Sequence, residues 1–560
     1  MLQRRRLTGT LAGLAGTAAF AAWFTSPLWT SPGRVFAGLL STDNIVTPWF
    51  YDFVARQLAA GDPIETMSDF DWPVPLDRMR EFPDIADAAL AAPLAWWLDW
   101  PAQWGATLTL AVTLNGLGLA ALAAACGLRG LGVLTAGVMG VMMRPVWTDI
   151  VMGRLNVTFI GLVAMAMAAT LWSMPARTPG QRGAAGRLVA ACAAAGLGAL
   201  AALIYPPFVL MLAPAGLVLA AGPLRKSGLL GAALPLLAVA GGAWLASDEL
   251  LAIYSSQDRS PGCSTCPDAY NAVALRDLAR WAVEPRQGLS YSGLAGPAWL
   301  LAPLALLHPR RKAAAALLAM VALSAVLALG PCPRLTPTED VPRAWVEQAW
   351  PHLGALWCAS APLHDYGRFA TVAAVLLALL SAMGADALGR RRGWLAPLLG
   401  TGLAAAVSFQ AGTLVMGEIL DPRKWHTPAP PATAIFLRDA APGPAVELPF
   451  DRSEQFLSVL YAPASPRVNP VRPTPHPVTH DPAIVWLFEL GWGRVPEEDI
   501  SAEQLRETGL RWVLYDTSRC APQGRRDPCP AETLSTLRRV LGAPVGHGDD
   551  LLVWELSPPP

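Results

Sequence analysis

The chain is short of charge. Asp, Glu, Lys and Arg make up 15% of its 560 residues, and 42 basic side chains balance 42 acidic ones to a formal net charge of zero. Nucleic-acid-binding domains ordinarily carry a clearly basic stripe, so a bulk electrostatic case for a nucleic-acid partner is excluded. Cysteine is scarce too, at eight residues, and CxxC spacing occurs once, in "CSTC" from Cys263 to Cys266. A zinc site needs about four ligands. With no second CxxC or His pair nearby, a local disulfide is the simpler reading of that motif. The chain also lacks a nucleophile elbow, a phosphate loop and any internal repeat.

What it has in quantity is apolar residues, 53% of the total. Runs able to cross about 30 Å of hydrocarbon as helices cover Leu7–Trp29, Trp104–Cys126, Gly130–Trp147, Leu155–Met174, Arg187–Ile204, Pro206–Pro223, Gly228–Ala246, Gly293–Leu307, Ala313–Gly330, Arg368–Leu388 and Trp394–Met416. The expected fold is therefore mainly α, a polytopic bundle of about eleven spans. "YPP" (Tyr205 to Pro207) divides the fifth span from the sixth, although a proline pair can instead kink one long helix.

Short cytoplasmic loops are enriched in Lys and Arg. Alternate connections carry Arg4 to Arg6, Arg129, then Arg177, Arg182 and Arg187, then Arg225 and Lys226, Arg310 to Lys312, and Arg390 to Arg392. All fall on one side, which places the N-terminus in the cytoplasm and everything after Met416 outside, in a plasma-membrane protein. Cysteine agrees with this. Cys263 and Cys266 share one outer loop, Cys332 and Cys358 the next, and Cys520 and Cys529 the C-terminal region, while Cys126 and Cys192 fall in spans. Disulfides persist in oxidising compartments. "AFA" (Ala19 to Ala21) offers a signal-peptide cleavage site, but the apolar stretch is longer than a usual signal, so an uncleaved first span is expected.

Two domains follow: residues 1–417 as the membrane domain, with a long first outer loop at 30–103, and residues 418–560 as an outer domain. The loop holds eleven acids against four arginines. In it Trp49, Phe50, Phe53, Val54 and Leu58 recur at helical spacing around Asp52 and Arg56, as in a helix lying in the membrane interface. A second such candidate runs from Phe82 through Ile85, Leu90 and Leu94 to Trp97. The C-terminal region turns polar and proline-rich. Strand-like "AVELPF", "RWVLYD" and "LLVWEL" alternate there with helix-like "SAEQLRETG", opened by a serine cap and closed by glycine, and "CPAETLSTLRRVLG". A small mixed α/β domain is expected.

Among chemistry-bearing residues, Asp43 lies beyond the first span and reads either as a solvated acid capping a helix that starts near Trp49 or as a functional group. "TDIVMGRLNVTFIGL" places Asp149, Arg154 and Asn156 where the fourth span begins, and Arg144 opens the same turn. Arg368 begins a late span. Arg144, Arg154 and Arg368 stand on the side that the other arginines avoid; interfacial snorkelling is the plain alternative. Asn156 starts an Asn-Val-Thr sequon and reads as a polar helix start. Asp69 and Asp71 in "SDFDW" have a spacing that suits a divalent ion.

One span, a long acidic outer loop with an early aspartate, a pair of spans and then "GRLN" (Gly153, Arg154, Leu155, Asn156) resembles membrane glycosyltransferases of the GT-C superfamily, in particular a many-spanning bacterial branch with a Gly-x-Leu-Asn segment at the fourth span. The stretch "HDYGRF" resembles that group's Arg-x-Pro-x-Arg-Phe entry to a late span, with Arg368 and Phe369 matching and His364 to Gly367 departing. The resemblance implies transfer of a sugar from a polyprenyl-phosphate donor to a lipid or glycan acceptor on the outer face, with membrane lipids as surroundings. It implies Asp43 as the base, Asp69 and Asp71 as rivals for that role, and Asp149 as a second acid that orients the acceptor or helps bind a metal. Arg368, then Arg154 and Arg144, would hold the phosphate. No cofactor is indicated, and a divalent metal is neither required nor excluded. A non-catalytic scaffold of envelope assembly is the alternative. A transporter ranks third, because it calls for ionisable groups at mid-membrane depth and the spans have almost none.

Overall fold

The computed structural model describes residues 2–31, 42–64, 66–67, 76–77, 85–151, 153–174, 184–245, 301–329, 334–336, 339–340, 368–390, 429–450, 452–463, 481–496, 500–520, 531–547 and 550–556. In chain order these form α1 (Leu2–Phe24), α2 (Ser26–Thr30), α3 (Thr42–Ala60), β1 (Thr66–Met67), β2 (Leu76–Asp77), α4 (Ala86–Ala95), α5 (Ala102–Ala125), α6 (Gly130–Val141), α7 (Arg144–Val151), a 3-10 turn at Leu155–Thr158, α8 (Gly161–Ser173), α9 (Ala184–Ile204) and α10 (Pro206–Leu245). A 3-10 turn at Ala302–Leu307 follows, then α11 (Arg311–Ala328), β3 (Arg334–Thr336), β4 (Glu339–Asp340) and α12 (Arg368–Gly389). The remainder comprises α13 (Ala432–Asp439), β5 (Ala445–Leu448), α14 (Arg452–Tyr461), α15 (Pro482–Gly491), α16 (Ala502–Glu507), β6 (Trp512–Asp516), a 3-10 turn at Thr517–Cys520, α17 (Ala531–Leu541), β7 (Val545–His547) and β8 (Leu551–Glu555).

The chain divides into two compact units. One holds Met1–Gly38, Asp84–Asp87 and Trp104–His426; the other holds Leu39–Pro83, Ala88–Gln103 and Thr427–Pro560. Most of the long first loop thus groups with the C-terminal region, whereas the sequence boundary at 417 left it with the spans.

The first unit is a helical membrane bundle. Among the described residues six helices are long and apolar enough to cross a membrane: Leu7–Phe24, Ala102–Ala125, Gly130–Ile150, Ala184–Ile204, Arg311–Ala328 and Arg368–Gly389. The expected fourth span appears as the shorter α8 behind its 3-10 turn. Of the eighth, the described residues are Leu301, which is α-helical, and the 3-10 turn at Ala302–Leu307; the eleventh lies outside the described residues. Tyr205 interrupts the helix ahead of Pro206 and Pro207, so the proline pair does divide α9 from α10. The sixth and seventh spans share one element, α10, of 40 residues. Gly242 near its end lies against Ala195 and Ala199 of α9. A straight helix of that length would reach about 60 Å, far past those neighbours, so α10 is not straight along its length.

α12 is the axis of this unit. Every residue from Phe369 to Ala387 is buried, and α6, α7, α10, α11 and the Ala302–Leu307 turn pack around it. A helix apolar on every side is enclosed by protein or by lipid, and here protein does it. Close approach relies on glycine: a Cβ on Gly384 would overlap the carbonyl oxygen of Leu301, and one on Gly118 that of Gly161.

The second unit contains an α/β sandwich with sheet order β5-β6-β8-β7. β5 and β6 run parallel, with Val446 opposite Val513; β8 is antiparallel to both β6 and β7. Alternation along the strands sorts two cores. Val446, Leu448, Val513, Tyr515 and Trp554 face α15, α16 and α17 through Ile484, Leu487, Leu490, Leu505 and Leu537. Ala445, Trp512, Leu514, Leu551 and Val553 face Leu437 of α13 and Ala462 after α14. Glu447 points to this second side, where its carboxylate accepts from Thr433 at 2.8 Å and from Arg519 at 3.0 Å. α16 has a full capping box between Ser501 and Gln504, and Gly509 and Gly542, at φ +83° and +81°, follow α16 and α17 as left-handed stops.

Two readings of the first loop need correction. α3 begins at Thr42, so Asp43 stands in the first turn of a helix and does not cap one starting near Trp49. Trp49, Phe50, Phe53 and Val54 are buried, and α3 packs along α14; only Leu58 of that face is exposed. Helical periodicity reports that a face is covered, not whether lipid or protein covers it.

Candidate functional site

The ends of the first unit can be told apart by following α6. The Arg129 amide that precedes it donates to the Asp386 carboxylate near the C-terminus of α12 at 2.9 Å. From there α6 runs along α12, and its continuation α7 still touches it. α7 therefore lies toward the Arg368 end of α12, about 27 Å from Asp386.

At that end Arg368, half-buried, is the first residue of α12. Its guanidinium lies over the ring of Tyr205, 4.5 Å from the centroid, and donates to the Tyr205 hydroxyl oxygen. Tyr205 sits at the break between α9 and α10, where it is braced edge-on by Phe208 with centroids 4.7 Å apart. The arrangement combines a cation–π contact with a charge-assisted hydrogen bond. Both fix the guanidinium.

The segment after α6 carries Arg144, Asp149, Arg154 and Asn156. Arg144 begins α7 and is half-buried; Asp149 in the same helix is fully buried. Gly153 adopts φ +76°, and the Arg154 amide turns back to donate to the Asp149 carbonyl at 2.9 Å. Arg154, half-buried, precedes the 3-10 turn that contains Asn156, so the polar helix start read from the sequon is a turn one step ahead of α8.

Asn115, buried in the middle of α5, locks this segment. Its amide donates to the Thr158 carbonyl at 2.6 Å, and its oxygen accepts from the Gly161 amide at 2.7 Å. Together they satisfy backbone groups that the change from 3-10 to α-helix would leave open.

The remaining candidates are distributed as follows. Asp43 belongs to the second unit and Asp149 to the first. Asp69 and Asp71 lie outside the described residues, as do Cys263, Cys266, Cys332, Cys358 and Cys529. Cys520 is disulfide-bonded, while Cys126 and Cys192 are free thiols. Among the described residues no three His, Cys, Asp or Glu side chains are grouped so as to hold a metal ion.

Tyr205 and Asn115 were not singled out from the sequence. Asn115 carries a signal in being an amide within an otherwise apolar span; Tyr205 carries one in heading a proline pair at a span end. Neither signal names its partner.

No family model and no curated protein matches the sequence. The fold does have counterparts. Over 97% of its length the chain superposes on the mycobacterial arabinofuranosyltransferase AftD with a TM-score of 0.54 and 17% identity, covering 40% of that chain. It also aligns with ArnT from Cupriavidus metallidurans bound to undecaprenyl phosphate, over 96% of this chain and 97% of that one, with a TM-score of 0.45 and 14% identity. With the Archaeoglobus fulgidus oligosaccharyltransferase the figures are 91% and 70%, 0.48 and 10%. The chain has the GT-C fold of the polytopic membrane glycosyltransferases. It spans two fifths of the length of AftD.

Proposed function

We propose that this protein is an integral membrane glycosyltransferase that moves a sugar from a polyprenyl-phosphate donor to a lipid or glycan acceptor at the outer face of the membrane, by inverting displacement. The observation that carries the reading is the guanidinium of Arg368, held on Tyr205 at one end of the central helix of a GT-C bundle.

In such a displacement the acceptor hydroxyl attacks the anomeric carbon and loses its proton to a carboxylate. The bond from that carbon to the phosphate oxygen breaks, and the lipid phosphate departs with the electron pair. Asp43 is the base, a role worth about 10²–10⁴ in rate. It stands in the first turn of α3. Arg368 meets the charge growing on the phosphate; Arg144 and Arg154 flank the segment that carries Asp149, which orients the acceptor. Disulfides at Cys263–Cys266, Cys332–Cys358 and Cys520–Cys529 would brace the outer side.

Mass spectrometry of envelope lipids and glycans from cells lacking the protein, complemented with wild type, Arg368→Ala or Asp43→Asn at matched expression, tests the reading. A sugar missing from the deletion and restored only by wild type supports it. Full restoration by both variants would replace it with a scaffold role.

A further inference from the structure

The sequence Trp96-Trp97-Leu98 follows α4 and leads, through Asp99, Trp100 and Pro101, into the membrane-spanning α5. Trp97 is 87% exposed and Trp96 54%, an unusual state for the most area-rich apolar side chains. This knuckle is not a loose loop. The Trp96 indole N–H donates to the Ala55 carbonyl of α3 at 3.2 Å, and Trp100 meets Tyr461 of α14 edge-on at 6.4 Å. α4 turns Ala88, Ala91 and Ala92 inward, which leaves its tryptophan end facing out.

Five residues of chain span at most about 18 Å, so Trp97 lies within that distance of the start of α5. At 24 residues, α5 is about 36 Å long and reaches the headgroup layer on both sides of a hydrocarbon core of about 30 Å. Tryptophan, with an apolar body and an N–H to donate, concentrates in that layer.

We propose that Trp96 and Trp97 insert into the lipid headgroup interface beside α5 and anchor α3, through Ala55, at that depth. The partner is the phospholipid surface itself. Because α3 also carries Asp43, the anchor would set the level at which that acid meets membrane-confined substrates, but the insertion does not depend on the glycosyltransferase reading.

The test uses the full chain labelled with fluorotryptophan in phospholipid nanodiscs and observed by fluorine NMR. The resonance absent from Trp97→Phe identifies Trp97, and the buried Trp486, identified in the same way, is the control. The expected result is loss of the Trp97 signal when the discs contain a lipid with a nitroxide high on its acyl chain, and its survival in the presence of a water-soluble gadolinium chelate. Loss to the chelate alone would place Trp97 in water and overturn the proposal. Survival under both agents would mean that protein covers it, which overturns the proposal equally.

Discussion

Near its C-terminal end α12 carries Asp386, almost fully buried, whose oxygens accept from His308 at 3.1 Å, from the Arg390 side chain and from the Arg129 amide at 2.9 Å. The Arg310 amide donates to Nδ1 of His308 at 3.2 Å, so the ring proton sits on Nε2 and faces Asp386. At the other end Arg368 is half-buried and lies on Tyr205, a neutral ring. Charges at the first end are matched by charges and amides of the same protein, from two connections far apart in sequence; that is how an ionisable group is kept inside a structure. The guanidinium at the second end is held in position by an aromatic ring and its hydroxyl. The same helix thus has an end closed by a buried ionic cluster and, under the proposed function, an end that takes part in the chemistry.

The largest expected effect is at the closed end. Asp386→Ala deprives three donors of their acceptor, and breaking a buried pair in this way costs about 3–5 kcal/mol. Thermal unfolding in nanodiscs should show it as a large fall in midpoint, with Asp386→Asn falling less because it retains an acceptor oxygen. At the Arg368 end the pattern should invert. Arg368→Ala is expected to reduce transfer by about 10²-fold while moving the unfolding midpoint little; a loss of stability equal to that of Asp386→Ala would break the comparison.

Tyr205→Phe sharpens it. The variant keeps the ring under the guanidinium and loses one charge-assisted hydrogen bond, so KM for the donor should rise by about tenfold, near the low end of what such a bond is worth, with kcat preserved. The smallest effect sets the scale. Ser501→Ala removes the capping box of α16 and should cost about 1 kcal/mol, visible in hydrogen exchange of that helix and absent from transfer activity.

Local signals in the sequence carried much of the architecture. Ser501 and Gln504 three residues apart, Gly509 and Gly542 after their helices, and the proline pair after Tyr205 each act within a turn of the chain, and all three elements form where those residues stand. Pairings made across the fold were not legible. Tyr205 and Arg368 are 163 positions apart, and Arg129 and Asp386 are 257; nothing local to either residue specifies the other. The aromatic face of α3 lies between these cases. Its periodicity was visible, but α14, which packs along it, comes some four hundred residues later.

The central claim is that the Arg368 end of α12 holds a lipid phosphate. Native mass spectrometry of the purified full chain, titrated with undecaprenyl phosphate and compared with Arg368→Ala, tests it most directly. Specific retention of one lipid by wild type and its loss in the variant, with the unfolding midpoint unchanged, is the expected result. Equal retention by both proteins would contradict the claim.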